Sequence, residues 1–351
     1  MARPDDTGAK PTLNDVARAA GVSLATVDRV LNARAGVRPA TIARVQNAIA
    51  ELGYVRDTAA ANLARRRLYE MAFLLPDTDN EFVAALRDAV AEQATGASVH
   101  RTRPTVVPVA PFDPQALADA VDALPASLDG VALFGPETPA VRDAVRRARE
   151  RGIAVVALVS DLPSSERDHF VGIDNVRAGR TAGRLMGRFT RRSGRVVVLT
   201  GSRLARDHLE RRQGFDQVMA EYPHLEVGAS IEGRDDANRV AAMLARVLSE
   251  GNDVVGVYSS AAGNAGLIRA LRTMPHDVTV IAHELTPTTR AALMDGTFDA
   301  LIVQDAGHLV RSAIRLLRAS ADGAAFDPGQ ERIRIDIHLR ENVPLSPEDT
   351  P

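Results

Sequence analysis

Residues 12–54 read TLNDVARAAGVSLATVDRVLNARAGVRPATIARVQNAIAELGY, and the spacing of their apolar positions decides how this end of the chain folds. Leu13, Val16, Ala17 and Ala20 recur at helical intervals, and Thr12 with Asp15 forms a capping-box start. Gly21 breaks that helix. Ser23 is placed to cap a second helix whose apolar face holds Val27, Val30 and Leu31, and which Asn32 closes. Two short helices joined by a tight glycine-containing turn make a helix-turn-helix, and small Ala17 and Ala20 allow their close approach. A third helix is expected from Pro39 to Leu52, burying Ile42, Val45, Ile49 and Leu52. The second helix then exposes Leu24, Ala25, Asp28 and Arg29, a face suited to a major groove.

Charge divides along the same line. Residues 1–69 carry 11 Lys and Arg against 6 Asp and Glu, while the remaining residues carry 32 against 39. A basic end on an acidic body fits a nucleic-acid module joined to a soluble domain. The whole chain, 351 residues at a net charge of −2, hides this asymmetry. Cysteine is absent, which excludes disulfides and thiolate chemistry. Apolar runs such as 153–159 fall far short of the roughly 20 residues that span a bilayer, and 1–10 is polar, so a cytoplasmic protein with no membrane partner is expected.

The run DVARAAGVSLATVDRVLN, residues 15–32, resembles the headpiece of the lactose/galactose repressor (LacI/GalR) family, and the likeness extends over 12–54. The resemblance implies an all-α headpiece over 11–56 and a hinge helix or linker over 57–67. It implies DNA contacts from Thr12, Ser23, Leu24, Ala25, Thr26, Arg29, Asn32, Leu63 and Arg66. In the family, a hinge leucine from each subunit wedges into the central minor groove, and Leu63 matches it; such apolar wedges partly unstack a base step. Arg65, Arg66 and Arg67 read either as phosphate contacts or as a solvated basic linker. Three positions depart from the family pattern: Asp28 stands where serine is usual, Asp57 where asparagine starts the hinge, and Arg38 where serine or threonine precedes the third helix. A carboxylate at 28 repels phosphates unless it accepts from a cytosine amino group or pairs with Arg29. Arginine is a poor cap, at a cost of about 1 kcal/mol.

From Arg67 onward, strands alternate with helices. Strands are expected near 69–75, 105–109, 130–134, 153–158, 194–199, 225–231, 254–258, 278–282 and 301–303. Helices are expected near 82–94, 114–124, 139–151, 177–189, 209–221, 236–249, 263–271 and 307–317. This order implies parallel sheets covered on both faces. The region resembles the sensor domain that the same repressors share with periplasmic sugar-binding proteins. The resemblance implies an α/β, periplasmic-binding-protein-like domain over 68–345, with two doubly wound parallel sheets around a cleft. Lobe 1 is expected at about 68–172 and 305–334, lobe 2 at about 173–303 and 335–345, and residues 346–351 as a disordered tail.

Ligands of open α/β sheets lie past the carboxyl ends of the strands. That rule and the resemblance select Asn80, Phe82, Phe134, Ser160, Asp161, Asp174, Tyr258, Ser260, Asn264, Glu284 and Gln304. Carboxylates and amides suit polyhydroxylated ligands because each can serve two hydroxyls. Helix capping is the alternative for Ser160, Asp174 and Asn264. Sugar-binding relatives carry an arginine six residues before an aromatic; with Phe215 as reference that position is Leu209, so His208 and Arg211 are the substitutes.

The expected protein is a homodimer. Its helices near 83–90 and 115–124 match the family's dimer face, and it binds pseudo-palindromic double-stranded operator DNA and a sugar, polyol or sugar acid. A repressor released by its effector is the first reading; a corepressed repressor or an activator is the alternative. No zinc spacing, GxSxG elbow, P-loop or GxGxxG is present, so neither an enzyme nor a cofactor is expected, a sugar-processing enzyme being the remote alternative.

Overall fold

A computed structural model describes residues 11–31, 34–54, 67–96, 101–249, 253–273 and 278–345. Asn32, Leu63 and Arg66, the rest of the hinge at 57–65, and the tail at 346–351 lie outside the described residues. The chain forms two compact units, 1–67 and 68–351.

In the first unit, α1 (Leu13–Ala20) begins on the Thr12 hydroxyl and the Asp15 carboxylate, a reciprocal capping box. It ends at Gly21, whose φ of 61° lies in the left-handed region that a side chain disfavours. The turn delivers α2 (Leu24–Leu31), and the Ser23 hydroxyl accepts from the Thr26 N–H at 3.2 Å. Helix α3 (Pro39–Leu52) starts on Arg38 without a side-chain cap. Val16, Val27 and Val45, one from each helix, are fully buried and form the centre of a small core with Ala17, Ala20 and Ala48. Three such valines contribute about 1.5–3 kcal/mol each.

The second unit holds two sheets. The first consists of β1 (Tyr69–Pro76), β2 (Thr102–Val109), β3 (Gly130–Leu133), β4 (Ala154–Leu158) and β5 (His169–Val171). Their spatial order is β2-β1-β3-β4-β5, all parallel. Helices α4 (Glu81–Thr95), α5 (Pro114–Asp122) and α6 (Pro139–Glu150) connect them. The second sheet consists of β6 (Gly194–Thr200), β7 (Leu225–Glu232), β8 (Val254–Ser259), β9 (Thr279–His283), β10 (Ala300–Val303) and β11 (Asp336–His338), in the order β11-β10-β9-β8-β6-β7. It is parallel except for the antiparallel edge strand β11. Its helices are α7 (Asn175–Phe189), α8 (Arg206–Met219), α9 (Ala237–Ser249), α10 (Asn264–Leu271) and α11 (Pro287–Met294); α12 (Ala306–Asp322) returns to the first sheet. The chain therefore passes between sheets after β5, after β10 and before β11.

Both faces of the inner strands are covered, which is why β3, β4, β8 and β10 are buried at every position rather than at every second one, while the edge strands β2 and β7 keep exposed polar residues. In β6, Val196 and Val198 face one core with Phe215, while Val197 and Leu199 face another with Val240 and Leu267. Two short strands and one helix were not anticipated: β5 and β11 have three residues each, too few to show a period, and α11 reads PTTRAALM, whose apolar residues fall in one run at its end rather than at helical intervals. Helix α8 starts at Arg206, one turn before the expected Leu209. This brings Asp207 and His208 into its first turn.

Candidate functional site

On the first unit, α2 presents Leu24, 47% exposed despite its size, together with exposed Ala25 and Arg29. Val27 on the opposite side is fully buried, so the helix has one core face and one solvent face. Thr12 is committed to the α1 cap, and Ser23 and Thr26 hydrogen bond each other at 2.9 Å. Asp28 is 3.5 Å from Arg34, so its carboxylate pairs with that arginine rather than with neighbouring Arg29.

In the second unit, a cavity of about 790 Å³ opens between the two sheets, walled by residues just past the ends of β1, β2, β3, β4, β7, β8 and β9. The backbone is strained where it meets this space. Phe112, Val159, Arg234, Asp235 and Glu284 all have φ between 53° and 66° and all line the cavity; among the described non-glycine residues only Arg101 has such a φ elsewhere. Left-handed non-glycine residues cost on the order of 1–3 kcal/mol each and persist where the surrounding structure over-determines them.

Arg211 is the centre of the second-lobe wall. Its side chain enters from α8 because α7 and α8 cross backbone to backbone: a Cβ on Gly214 would sit 1.9 Å from the Val176 carbonyl oxygen. The guanidinium donates from Nε to Asn175 Oδ1 at 2.9 Å, from Nη1 to the Ser260 carbonyl at 2.9 Å, and from Nη2 to Glu284 Oε1 at 3.3 Å. Gln304 holds Glu284 from the other side, donating from Nε2 to Oε1 at 2.9 Å and from its backbone N–H to Oε2 at 3.4 Å. Burial raises the Glu284 carboxyl above its usual range, against the opposing pull of Arg211 and Gln304. Behind this layer, His283 Nε2 lies 2.9 Å from the Tyr258 hydroxyl, and Tyr258 stacks on Phe215 with ring centroids 4.4 Å apart. Burial, with Arg211 and His208 nearby, keeps His283 well below the usual histidine range and therefore neutral. Burial raises the Tyr258 phenol.

Of the residues read from sequence, Asn80, Phe82, Phe134, Ser160, His208, Arg211, Asn264 and Glu284 line the cavity. Asn80 is already committed: its Oδ1 caps α4 and its Nδ2 donates to Asp235 Oδ2 across the cleft at 2.8 Å. Tyr258, Ser260 and Gln304 stand behind the wall and position Arg211, His283 and Glu284. Asp161 is turned to Arg167 and Asp174 caps α7 while pairing with Arg177 at 3.0 Å; neither reaches the cavity. Leu209 is half exposed, so the arginine that enters the cleft stands one helical turn before Phe215, at 211. Sequence reasoning passed over Asp207 and Asp235, which both line the cavity. Asp235 lies just past β7, and the strand-end rule applied there would have found it.

Residues 12–57 match the description "Bacterial regulatory proteins, lacI family", and residues 71–325 match "Periplasmic binding protein domain". The chain is 26% identical to the HTH-type transcriptional regulator DegA of Bacillus subtilis (strain 168) over 288 residues, 79% of this chain and 82% of that protein. It is 29% identical to the ribose import binding protein RbsB of Escherichia coli (strain K12) over 177 residues, half of this chain and 60% of that protein. A solute-binding protein from Burkholderia graminis C4D1M, solved in complex with D-arabinose, shares the fold at a TM-score of 0.69 and 22% identity, covering 79% of this chain and 97% of that one. The chain therefore belongs to the LacI family of bacterial regulatory proteins, as a DNA-binding transcriptional regulator with a periplasmic-binding-protein domain of the sugar-binding type.

Proposed function

We propose that the protein is a cytoplasmic, nucleoid-associated homodimeric repressor, without enzymatic activity, released from a pseudo-palindromic operator by a small polyhydroxylated effector. The observation that carries this reading is the 790 Å³ cavity between the lobes with Arg211 and Glu284 buried in its wall. Volume and position suit a small molecule that touches both lobes. The ribose and arabinose in the names of two similar proteins support a sugar-sized effector. Phe82, Phe134, Ser160, His208, Arg211, Asn264 and Glu284 contact it, Leu24, Ala25 and Arg29 meet the major groove, and Leu63 wedges into the operator centre. Effector binding changes how the lobes close, and linkage requires it to weaken operator binding by the same factor that the operator weakens effector binding.

Fluorescence anisotropy on an operator selected from random duplex tests both ends. Arg29→Ala should weaken operator binding by roughly 1–3 kcal/mol. Glu284→Ala should bind operator like the parent yet no longer be released by effector. Parental affinity in Arg29→Ala removes that face from the interface. Release of Glu284→Ala at parental effector concentrations removes the cavity from sensing, and tightening of the parent by effector replaces release with corepression.

A further inference from the structure

The second lobe carries a basic surface of its own, at the end of its sheet opposite the cavity. Arg188 and Phe189 close α7, and Arg191 and Arg192 follow just before β6 begins at Gly194. The cavity lies past the carboxyl ends of the strands, so this surface is at their amino ends. Thr190, in the middle of the run, is buried, and its N–H donates to the Met186 carbonyl at 2.9 Å. The residues on either side of that anchor stand at the surface: all three arginines are exposed, and Phe189 is 39% exposed.

The charge there is uncompensated. Among the described residues, Arg188, Arg191 and Arg192 make no ion pair or side-chain hydrogen bond. The carboxylates of the neighbouring loops are taken, Glu221 by Arg184 at 2.8 Å and Asp253 by Arg195 at 3.1 Å. The carbonyl end of α7 favours a cation in its last turn, which accounts for Arg188. It does not account for Arg191 and Arg192, which lie beyond the helix. Three like charges on five consecutive residues repel one another, and an anionic partner relieves that repulsion.

Aromatic rings narrow the class of anion. Gly187 lets the Tyr222 ring lie against α7, since a Cβ there would sit 2.3 Å from that ring. Arg184 stands 5.7 Å from the Tyr222 ring centroid, and Phe189 is exposed among the free arginines. A duplex offers phosphates but keeps its base faces stacked, and an acidic peptide offers carboxylates without stacked rings. A single strand offers phosphates and unstacked bases together, the pair of features that guanidiniums interleaved with aromatic side chains hold.

We infer that this end of the second lobe is a contact surface for single-stranded nucleic acid, with Arg188, Arg191 and Arg192 on the phosphates and Phe189 stacked on a base. It is independent of the cavity and of the effector's identity.

The test saturates the full chain with operator duplex, so that the headpieces are occupied, and titrates it at low salt with labelled oligo(dT) and oligo(U), read by fluorescence anisotropy. Both should bind. Arg188→Ser/Arg191→Ser/Arg192→Ser should bind at least about tenfold more weakly, with the slope of log affinity against log salt reduced by about 2, each single-strand phosphate contact contributing roughly 0.7. Arg188→Lys/Arg191→Lys/Arg192→Lys should keep binding within about threefold, because the charge is retained. Phe189→Ser should weaken binding about fivefold or more and leave the salt slope unchanged. Operator affinity should stay parental in all three variants. Failure of both oligonucleotides to bind, parental binding by the serine triple variant, or equal loss in the lysine variant overturns the surface. Parental binding by Phe189→Ser, or competition by non-operator duplex or polyglutamate as strong as that by the oligonucleotides, overturns the single-strand assignment.

Discussion

His283 shows how a single buried side chain ties the site to the stability of the whole domain. It is 1% exposed, and burial with Arg211 nearby holds its folded-state affinity for protons well below the ordinary value of 6.5. The unfolded chain therefore takes up the proton first as pH falls. Stability from this group is complete above pH 6.5 and is lost progressively below it, by at most about 1.4 kcal/mol per pH unit. His169, lowered by burial with a smaller opposing pull from Asp168, adds loss of the same sign. Glu284 works in the opposite direction, because a carboxyl raised by burial gains its proton more readily in the folded state, in a window between 4.5 and its raised value. Urea unfolding of the full chain, followed by circular dichroism, should show falling stability between pH 7 and pH 5.5, and His283→Asn should flatten that slope. An equal slope in the variant would move the effect elsewhere.

At the scale of elements, the crossing of α7 and α8 decides which side chains reach the cleft. Gly179 and Gly214 face the opposite backbone: a Cβ on either would lie 1.9 Å from a carbonyl oxygen, that of Arg211 or of Val176. Backbone cannot yield as a flexible side chain does, so Gly214→Ala has to push the helices apart. Overpacking of this kind costs typically 1–3 kcal/mol, and more where the surroundings are stiff. The same displacement withdraws Arg211 from Asn175 and Glu284. Gly214→Ala should therefore lower the thermal midpoint of the effector domain and abolish effector response, while operator binding by the headpiece stays at the parental level. A variant that keeps its effector affinity would show that the crossing does not set the position of Arg211. In the headpiece the comparable element is the α1–α2 turn, and its geometry is local, resting on Gly21 and on the hydroxyls of Thr12 and Ser23.

Across the whole effector domain, the two lobes hold each other through side chains at the cleft. Glu81 at the start of α4 accepts from the Thr288 hydroxyl at 2.7 Å and from its N–H at 3.2 Å, capping α11 from the opposite lobe. Asn80 reaches Asp235, and the Ser160 hydroxyl accepts from the Asp207 N–H at 3.4 Å. These contacts favour closure before any effector binds, and an effector that binds the closed form gains affinity in proportion to its population. Glu81→Ala should enlarge the radius of gyration in solution scattering and weaken effector binding several-fold, with Thr288→Val a milder version of both. An unchanged scattering curve would show that closure does not depend on this pair.

How much was legible follows from how far apart the partners stand. The helix-turn-helix is written within 43 consecutive residues, because caps, turn glycine and a 3.6-residue period act over one or two turns. The doubly wound sheets were legible for a related reason: strands buried on both faces must be apolar throughout, and helices between them must be amphipathic. Strand ends then pointed to Ser160 and Glu284 without any knowledge of contacts. What the sequence could not carry was direction. Asp161 and Ser160 are neighbours, yet one turns to Arg167 and the other into the cavity. Arg211 meets Glu284 across 73 positions, and Asn80 meets Asp235 across 155. Local propensity determined most of the elements and their order, but not β5, β11 and α11, which are too short to show a period. Only the packing of one sheet against its helices, and of one lobe against the other, decided which charges are buried together and which stay unpaired at the surface.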